Sequence, residues 1–272
     1  MGSLSLRLGA PLGLAIVLSG GAAMANPKAL PFTYGTQTNP KGQGEVETYT
    51  DLIPLKARDA ATGETVRYLA PQFQMEFEWG ITDRVELGIY ATFAPRLGDT
   101  FSSYPVTTVG NGSKQRLRWR LADEGDWPID VALYGEVTET EREIELEGKV
   151  ILQKRFGKLL VLSNLWVEHE FYFTGKREWV FHPTLGLQYQ ATPSIFPGIE
   201  AWMRAELEPG STEERDFDAG PHVYVGPTLM VSLGTFFVTT GYYLRTTQFG
   251  RTLALGDAMG ASWYRLIVGF NM

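Results

Sequence analysis

The sequence predicts an all-β protein, a transmembrane, up-and-down, antiparallel β-barrel of about twelve strands. Three observations predict this fold. Apolar and polar residues alternate with a period of two along most of the chain. The alternating segments run for about 10 to 13 residues, long enough for a tilted strand to cross a bilayer. The connections between them are alternately short and long, as in barrels of the outer membrane, where we expect the chain to be located.

Composition narrows the range of functions. The 272 residues carry 24 Lys and Arg against 31 Asp and Glu, a formal net charge of −7, and there is no Cys. An acidic chain lacks the basic excess with which proteins neutralise nucleic-acid phosphates, so we expect no nucleic-acid partner. The lack of Cys excludes disulfides, thiolate metal sites and cysteine nucleophiles.

The first 25 residues have the layout of a secretory signal peptide. Arg7 precedes an apolar stretch over residues 8–18, and the small-residue sequence Ala23-Met24-Ala25 follows. A retained membrane anchor is the alternative, but a spanning helix needs ~20 apolar residues. We therefore assign residues 1–25 to the signal peptide, residues 26–43 to a periplasmic lead-in, and residues 44–272 to the barrel.

The clearest strands form a hairpin over residues 71–81 and 85–93. In the first strand every odd position is apolar, and Glu76 and Glu78 occupy even positions. The pattern inverts across the turn at residues 82–84, which sets Trp79 opposite Leu87 and leaves the apolar face continuous.

The same alternation predicts the other strands, and the last one continues to the C-terminal residue. They cover residues 44–52, 114–121, 129–137, 143–152, 161–171, 179–189, 195–207, 223–233, 236–245 and 262–272. Further short turns are predicted at residues 157–158 and 191–194. Long polar loops are predicted at residues 54–66, 95–112, 208–219 and 246–258. A soluble barrel of the lipocalin type is the alternative fold.

The candidate functional residues lie on the polar faces of the strands. In a membrane barrel the apolar face meets lipid, so the polar face lines the lumen. There we expect a basic ladder and an acidic patch. The ladder consists of Arg116, Arg118 and Arg120, and the patch of Glu143, Glu145, Glu147, Glu168 and Glu170.

The turn at residues 157–158 sets Glu147 opposite Glu168 and Glu145 opposite Glu170. Directly opposed like charges destabilise a sheet, so basic side chains across the lumen, a bound cation or a permeating solute must offset them. Our hypothesis is that the three arginines face this patch and set ion or solute selectivity. The alternative is a lumen filled by mutually neutralising charges.

Two short pieces of sequence resemble a known family. Residues 40–47 (PKGQGEVE) and residues 79–87 (WGITDRVEL) are similar to the corresponding pieces of Gram-negative outer-membrane barrels of the phenol-degradation meta-pathway transporter type. The resemblance implies a twelve-stranded pore. The final strand resembles the signal read by the barrel assembly machinery, with Phe270 at the aromatic position, although the chain ends in Asn271-Met272.

The function that we predict is a channel or passive transporter for small, unidentified solutes, with outer-membrane lipid and the assembly machinery as partners and no cofactor. A closed structural or adhesive barrel is the alternative. An outer-membrane hydrolase is less favoured, because His169, His182 and His222 lack the neighbours of a catalytic triad or a zinc site. We expect no enzymatic activity. Tryptophans 79, 166, 179, 202 and 263 are candidates either for interfacial girdles or for ordinary packing.

Overall fold

A computed structural model describes residues 27–59, 61–94, 111–206, 221–247, 257 and 259–272. Every regular element in this part of the chain is a strand. The strands are β1 (Gly44–Arg58), β2 (Thr65–Thr82), β3 (Val85–Phe93), β4 (Gly112–Arg120), β5 (Asp130–Thr140), β6 (Glu143–Phe156), β7 (Leu159–Tyr172), β8 (Arg177–Phe181), β9 (Thr184–Tyr189), β10 (Ile195–Glu206), β11 (His222–Leu233), β12 (Phe236–Arg245) and β13 (Ser262–Asn271).

These strands form one closed antiparallel barrel. Neighbours in sequence are neighbours in the sheet, and β13 pairs with β1 to close it. The two short strands β8 and β9 occupy a single position, because both pair with β7 on one side and β10 on the other. The barrel therefore has twelve strand positions, and the predicted fold class is confirmed.

The predicted registers are also confirmed. Trp79 lies opposite Leu87 in the β2–β3 hairpin. Glu147 lies opposite Glu168, and Glu145 lies opposite Glu170, across β6 and β7. The turns after β2, β6, β9 and β11 lie at the same end as both ends of the barrel sequence, Gly44 and Met272. In barrels of this kind the short turns mark the periplasmic end.

The outer surface of the barrel is apolar and its interior is polar. On β2, Met75 and Phe77 are 51% and 39% exposed, whereas Glu76 and Glu78 between them are buried. An outward band of large apolar side chains continues around the barrel on the other strands. Such a surface is stable against lipid and unfavourable in water, which places the chain in an outer membrane. Among the described residues, no helix is long and apolar enough to cross a membrane.

One predicted loop is largely strand. Residues 54–66 were expected to be a long polar loop, but β1 continues to Arg58 and β2 begins at Thr65. Along this stretch the polarity of the two faces is exchanged: Ile53 and Leu55 point inward and are buried, while Lys56 and Arg58 point outward. This part of the wall projects beyond the lipid, so its outer face is polar. A rule that assigns apolar residues to the outer face cannot detect it.

The tip of this β1–β2 hairpin is a tight turn. The backbone N–H groups of Thr62 and Ala61 donate to Asp59 Oδ1 at 2.8 and 2.9 Å. These hydrogen bonds stabilise the carboxylate and hold the pKa of Asp59 below its ordinary value.

The strand predicted over residues 179–189 is interrupted at His182-Pro183. Proline has no N–H to donate to a ladder, so β8 ends at Phe181 and β9 begins at Thr184. Pairing with the neighbours continues across the gap, since His182 N donates to Trp166 O at 2.9 Å and Met203 N donates to Pro183 O at 3.1 Å.

The other predicted loops lie wholly or largely outside the described residues, as does the signal peptide predicted for residues 1–25.

The main difference from expectation concerns residues 26–43. From residue 27 to residue 39 this segment lies inside the barrel, where Leu30, Phe32 and Asn39 are buried. Residues 27–39 therefore lie in the lumen and do not form a lead-in located in the periplasm.

The facing of β2 leads to a testable result. Cys at position 75 or 77 is expected to resist charged, water-soluble thiol reagents in membranes and to react with lipid-soluble ones. Cys at position 74 is expected to react with the water-soluble reagents, because Gln74 lines a cavity in the lumen. Labelling of outer-membrane preparations measures this, with Cys at the exposed position 41 as a positive control. Fast aqueous labelling at 75 and 77 with protection of 74 would mean that the facing is reversed.

Candidate solute path through the lumen

Residues 27–39, called here the lumen segment, occupy the periplasmic half of the lumen and reach the extracellular half at Phe32. The segment has no strand of its own, so polar side chains of the wall provide partners for its backbone. Glu200 accepts from Phe32 N at 3.0 Å, Asn164 Oδ1 from Tyr34 N at 2.7 Å and Glu86 Oε2 from Asn39 N at 2.6 Å. Further bonds to the segment come from Gln153, Gln188, Thr239 and Arg265.

The tip of the lumen segment is Phe32, which packs in an aromatic cluster in the extracellular half. Its ring centroid lies 4.7 Å from that of Trp202, 5.3 Å from Tyr243 and 6.1 Å from Trp263. The guanidinium carbon of Arg265 lies 3.8 Å from the Phe32 ring centroid, while the guanidinium forms two hydrogen bonds with Asp51 at 2.6 and 2.7 Å. The tip is therefore anchored by packing and by a cation–π contact.

The segment leaves the lumen beside Gly80, at the periplasmic rim. Gly42 N donates to Gly80 O at 2.8 Å, and Gly80 N donates to Gln43 O at 2.9 Å. A Cβ at position 80 would lie 2.2 Å from the carbonyl oxygen of Pro40, so only glycine permits this approach. The two pieces of sequence that carry the family resemblance, residues 40–47 and 79–87, are thus in direct contact.

Tyr34 lines two cavities in the lumen. The larger has an empty volume of about 870 Å³ and lies in the extracellular half above the lumen segment. The smaller, of about 330 Å³, lies beside the segment towards the periplasmic end and is also lined by Lys28, Glu47 and Arg118. Tyr34 is held between them, with its hydroxyl 3.3 Å from that of Tyr90 and its ring centroid 3.5 Å from Lys28 Nζ.

The predicted basic ladder lies in a buried charge cluster on β2, β3 and β4. Arg116 donates to Glu76 at 2.7 Å, to Glu86 at 2.8 Å and to Glu78. Arg118 donates to Glu86 at 2.6 Å. Arg116 is 1% exposed, and Glu76 and Glu86 are fully buried.

Gly88 makes this cluster possible. In the sheet Glu78, Gly88 and Arg116 lie side by side on three successive strands. A Cβ on Gly88 would lie 2.5 Å from Arg116 Nε, so the missing side chain lets the guanidinium lie across β3 and reach β2.

We expected the three arginines to face the acidic patch across the lumen, but their observed partners are other groups. Arg116 and Arg118 are engaged by the carboxylates of β2 and β3. Arg120 lies at the periplasmic rim, where it donates to Asp83 O at 2.8 Å and pairs with Asp123 at 3.2 Å. Carboxylates on the adjacent strand are nearer than those across the barrel, and the Coulomb energy of the closer pairs is larger.

Four residues of the acidic patch, all except Glu143, line the larger cavity, and their charges are neutralised unevenly. Lys149 pairs with Glu147 at 2.5 Å and Arg204 with Glu170 at 2.6 Å. Glu168 Oε1 lies 3.6 Å from His182 Nδ1. Glu143 lies near the extracellular end, opposite Tyr172. For Glu145, by contrast, the described residues provide no cation within 4 Å.

Several charged residues of the lumen were not among the candidate functional residues, although they sit on predicted polar faces. Glu76, Glu78 and Glu86 alternate with apolar residues as clearly as the arginines do, and Lys149 follows Glu147 at strand spacing. Glu200, Asn164 and Gln153 bind the lumen segment, and nothing in their own strands signals that role. The sequence did contain one indication that residues 27–39 are buried: Leu30 and Phe32 are apolar although they lie in a stretch expected to be exposed.

The tryptophans divide between the two surfaces. Trp79 and Trp179 point outward and are 40% and 41% exposed. Trp166, Trp202 and Trp263 line the larger cavity. Trp166 stacks on His182 with the ring centroids 3.9 Å apart. Of the five candidate tryptophans, only Trp79 and Trp179 are therefore placed for contact with the membrane interface.

No protein-family model matches the sequence, and the comparison with curated proteins gives no match. Among solved structures the chain is similar to an outer membrane channel from Pseudomonas putida F1, with a TM-score of 0.58 and 12% identity over 87% of this chain and 98% of the other. It is also similar to the NanC porin, with a TM-score of 0.55 and 7% identity over 82% and 97% of the two chains. Its similarity to the KdgM porin has a TM-score of 0.51, with 8% identity over 83% of this chain and 98% of the other.

At these identities the comparisons establish the fold. Together with the apolar outer band and the polar lumen, they define the class of protein as an outer-membrane β-barrel of twelve strands. In this chain the lumen holds a segment that is hydrogen-bonded to the wall, and Tyr34 of that segment lines two cavities.

Proposed function

We propose that the protein is a passive channel for small polar solutes, with a charged lumen in which the lumen segment forms the narrowest part of the path. The observation that carries this proposal is the pair of cavities lined by Tyr34. A solute entering the larger cavity meets the lumen segment at Tyr34, and the smaller cavity lies beyond it. The porin and channel structures that share this fold support the proposal.

The charge of the larger cavity favours cations. Its lining includes five carboxylates, and three of them have a Lys or Arg partner within the cavity. Arg265, which also lines it, is paired with Asp51 outside the lining. A lumen with excess negative charge raises the local concentration of cations and lowers that of anions.

The finer assignment, to channels of the phenol-degradation meta-pathway transporter type, is also proposed. It is supported by the similarity of residues 40–47 and 79–87 to that family. Their contact at the periplasmic rim, through two hydrogen bonds of 2.8 and 2.9 Å, gives the two pieces a shared role in fixing the exit of the lumen segment.

A planar-bilayer recording of the purified, folded barrel tests the proposal. We expect small ohmic current steps and, under a salt gradient, a reversal potential that shows a preference for cations. Replacing both Glu147 and Glu168 with Gln should move that potential towards anions, because two negative charges leave the cavity wall. The exposed Glu141 gives a matched control in E141Q, whose reversal potential should equal that of the wild type.

A closed structural barrel is the second candidate, and the extensive bonding of the lumen segment to the wall favours it. The same recording separates the two. Current no larger than leak, from protein whose heat-modifiable gel migration shows that it is folded, would reject the channel and support the closed barrel.

A further inference from the structure

The geometry points to a divalent-cation site formed by Glu145, Glu168 and Glu170 on the wall of the larger cavity. One carboxylate oxygen from each residue lies within 4.8 Å of the others. Calcium binds oxygen ligands at about 2.3–2.6 Å, so ligands on opposite sides of one ion are roughly 5 Å apart. The three carboxylates are spaced to share a single ion.

The charge of the cluster matches the charge of such an ion. Of the three carboxylates, Glu170 is paired with Arg204 at 2.6 Å. Glu168 has the imidazole of His182 at 3.6 Å and interacts with the same Arg204 at longer range, and neither Glu168 nor Glu145 has a Lys or Arg within 4 Å among the described residues. With His182 counted as neutral, three carboxylates and one guanidinium leave two negative charges uncompensated.

A second acidic group gives a useful contrast. Glu136, Glu145 and Glu147 also place oxygens within 4.8 Å of one another. Lys114 and Lys149 neutralise Glu136 and Glu147 at 3.1 and 2.5 Å. Only one negative charge remains there, so the triad with Glu168 and Glu170 is the better site for a divalent ion.

His182 is an independent sign that a ligand belongs at this place. The side chain is only 8% exposed, and its Nε2 has no hydrogen-bond partner in the described part of the chain. Its Nδ1 is directed at the triad, 3.6 Å from Glu168 Oε1, and its ring is fixed by stacking on Trp166. Because 3.6 Å is longer than a hydrogen bond, a water bound to an ion at the triad would complete the hydrogen bonding of Nδ1.

The cavity beside the triad has room for the further oxygen ligands that a calcium ion needs. Calcium takes 6–8 oxygen ligands, so water must fill several positions, and the empty volume of about 870 Å³ beside the triad has room for it. A bound ion would also offset the repulsion between Glu145 and Glu170, which lie directly opposite each other on β6 and β7. This site does not depend on whether the barrel conducts.

Terbium luminescence tests the site on the folded barrel in detergent. Tb³⁺ replaces Ca²⁺ at oxygen sites and emits when a nearby tryptophan is excited, and Trp166 lines the same cavity. We expect saturable emission from the wild type that Ca²⁺ reverses. E145Q should weaken Tb³⁺ binding by at least about tenfold. E141Q, at the exposed turn before β6 and outside both acidic groups, should bind as the wild type does.

Three outcomes would overturn the proposal. One is equal Tb³⁺ affinity in E145Q and the wild type. Another is emission that Ca²⁺ cannot displace. The third is displacement by ethanolamine at concentrations at which Ca²⁺ has no effect, which would identify the site as one for organic ammonium groups. Heat-modifiable migration of each variant verifies that its barrel is folded, and E145D, which keeps the charge, should recover part of the binding.

Discussion

Replacing Arg116 with Met is expected to lower the free energy of unfolding of the barrel by about 3–5 kcal/mol, the cost of removing one partner from a buried ion pair. Met keeps most of the length of the side chain and removes the charge. Glu76, Glu78 and Glu86 then face one another in the closed interior with Arg118 as their remaining nearby guanidinium. All three carboxylates are buried, and Glu76 and Glu86 have no exposed surface, so water replaces few of the lost hydrogen bonds.

The measurement is equilibrium unfolding in urea, in detergent micelles, followed by tryptophan fluorescence. Arg120→Met is the matched control: Arg120 pairs with the exposed Asp123 at the rim, and its loss should cost less than about 1 kcal/mol. Combining R116M with E76Q and E78Q should recover much of the stability, since it removes the uncompensated charges. Similar midpoints for R116M and R120M would show that the cluster is not a structural centre of the barrel.

The strands and their registers could be predicted because each depends on a local rule. Alternation with a period of two gives the facing of Phe77 and Glu78, and the length of a tight turn gives the pairing of Glu145 with Glu170. Both rules act between residues close in sequence or on adjacent strands. Where the physical setting of a strand changes, the rule fails, as at Leu55 and Lys56, which lie beyond the lipid.

The contents of the lumen could not be predicted in the same way. The lumen segment contacts wall residues more than a hundred positions away, such as Asn164 and Glu200, and no local pattern encodes such a contact. The pairing of Arg116 with Glu78 depends on an empty position at Gly88 between them. The charges that line the lumen could be predicted from the alternation of polar residues, but their partners follow from three-dimensional packing.

Removing residues 27–39 is expected to raise the single-channel conductance several-fold. These residues fill the periplasmic half of the lumen, and the wall groups that bind them, among them Glu200, Asn164 and Gln153, would be solvated by water in the widened pore. Unlike the carboxylates around Arg116, these groups would then face an aqueous lumen, so the strand pairing of the barrel should persist. The deletion begins after the predicted signal peptide, and export should continue.

Two point variants make the same test without shortening the chain. Tyr34→Ala removes the side chain between the two cavities and should raise conductance by less than the deletion does. Gly80→Val places a side chain where the carbonyl of Pro40 lies and should displace the base of the segment. Lys41→Ala, at an exposed position beside that base, should conduct as the wild type does.

A synthetic peptide of residues 27–39, added to the deletion variant from the periplasmic side, should reduce the enlarged current, because the segment enters the lumen from that end. Added from the other side it should have little effect, since the aromatic cluster around Trp202 and Tyr243 lies in the extracellular half of the lumen. If the folded deletion variant conducts no better than the wild type, the narrowest point lies elsewhere in the lumen. The aromatic cluster would then be the next region to replace, and the lumen segment would have a structural role only.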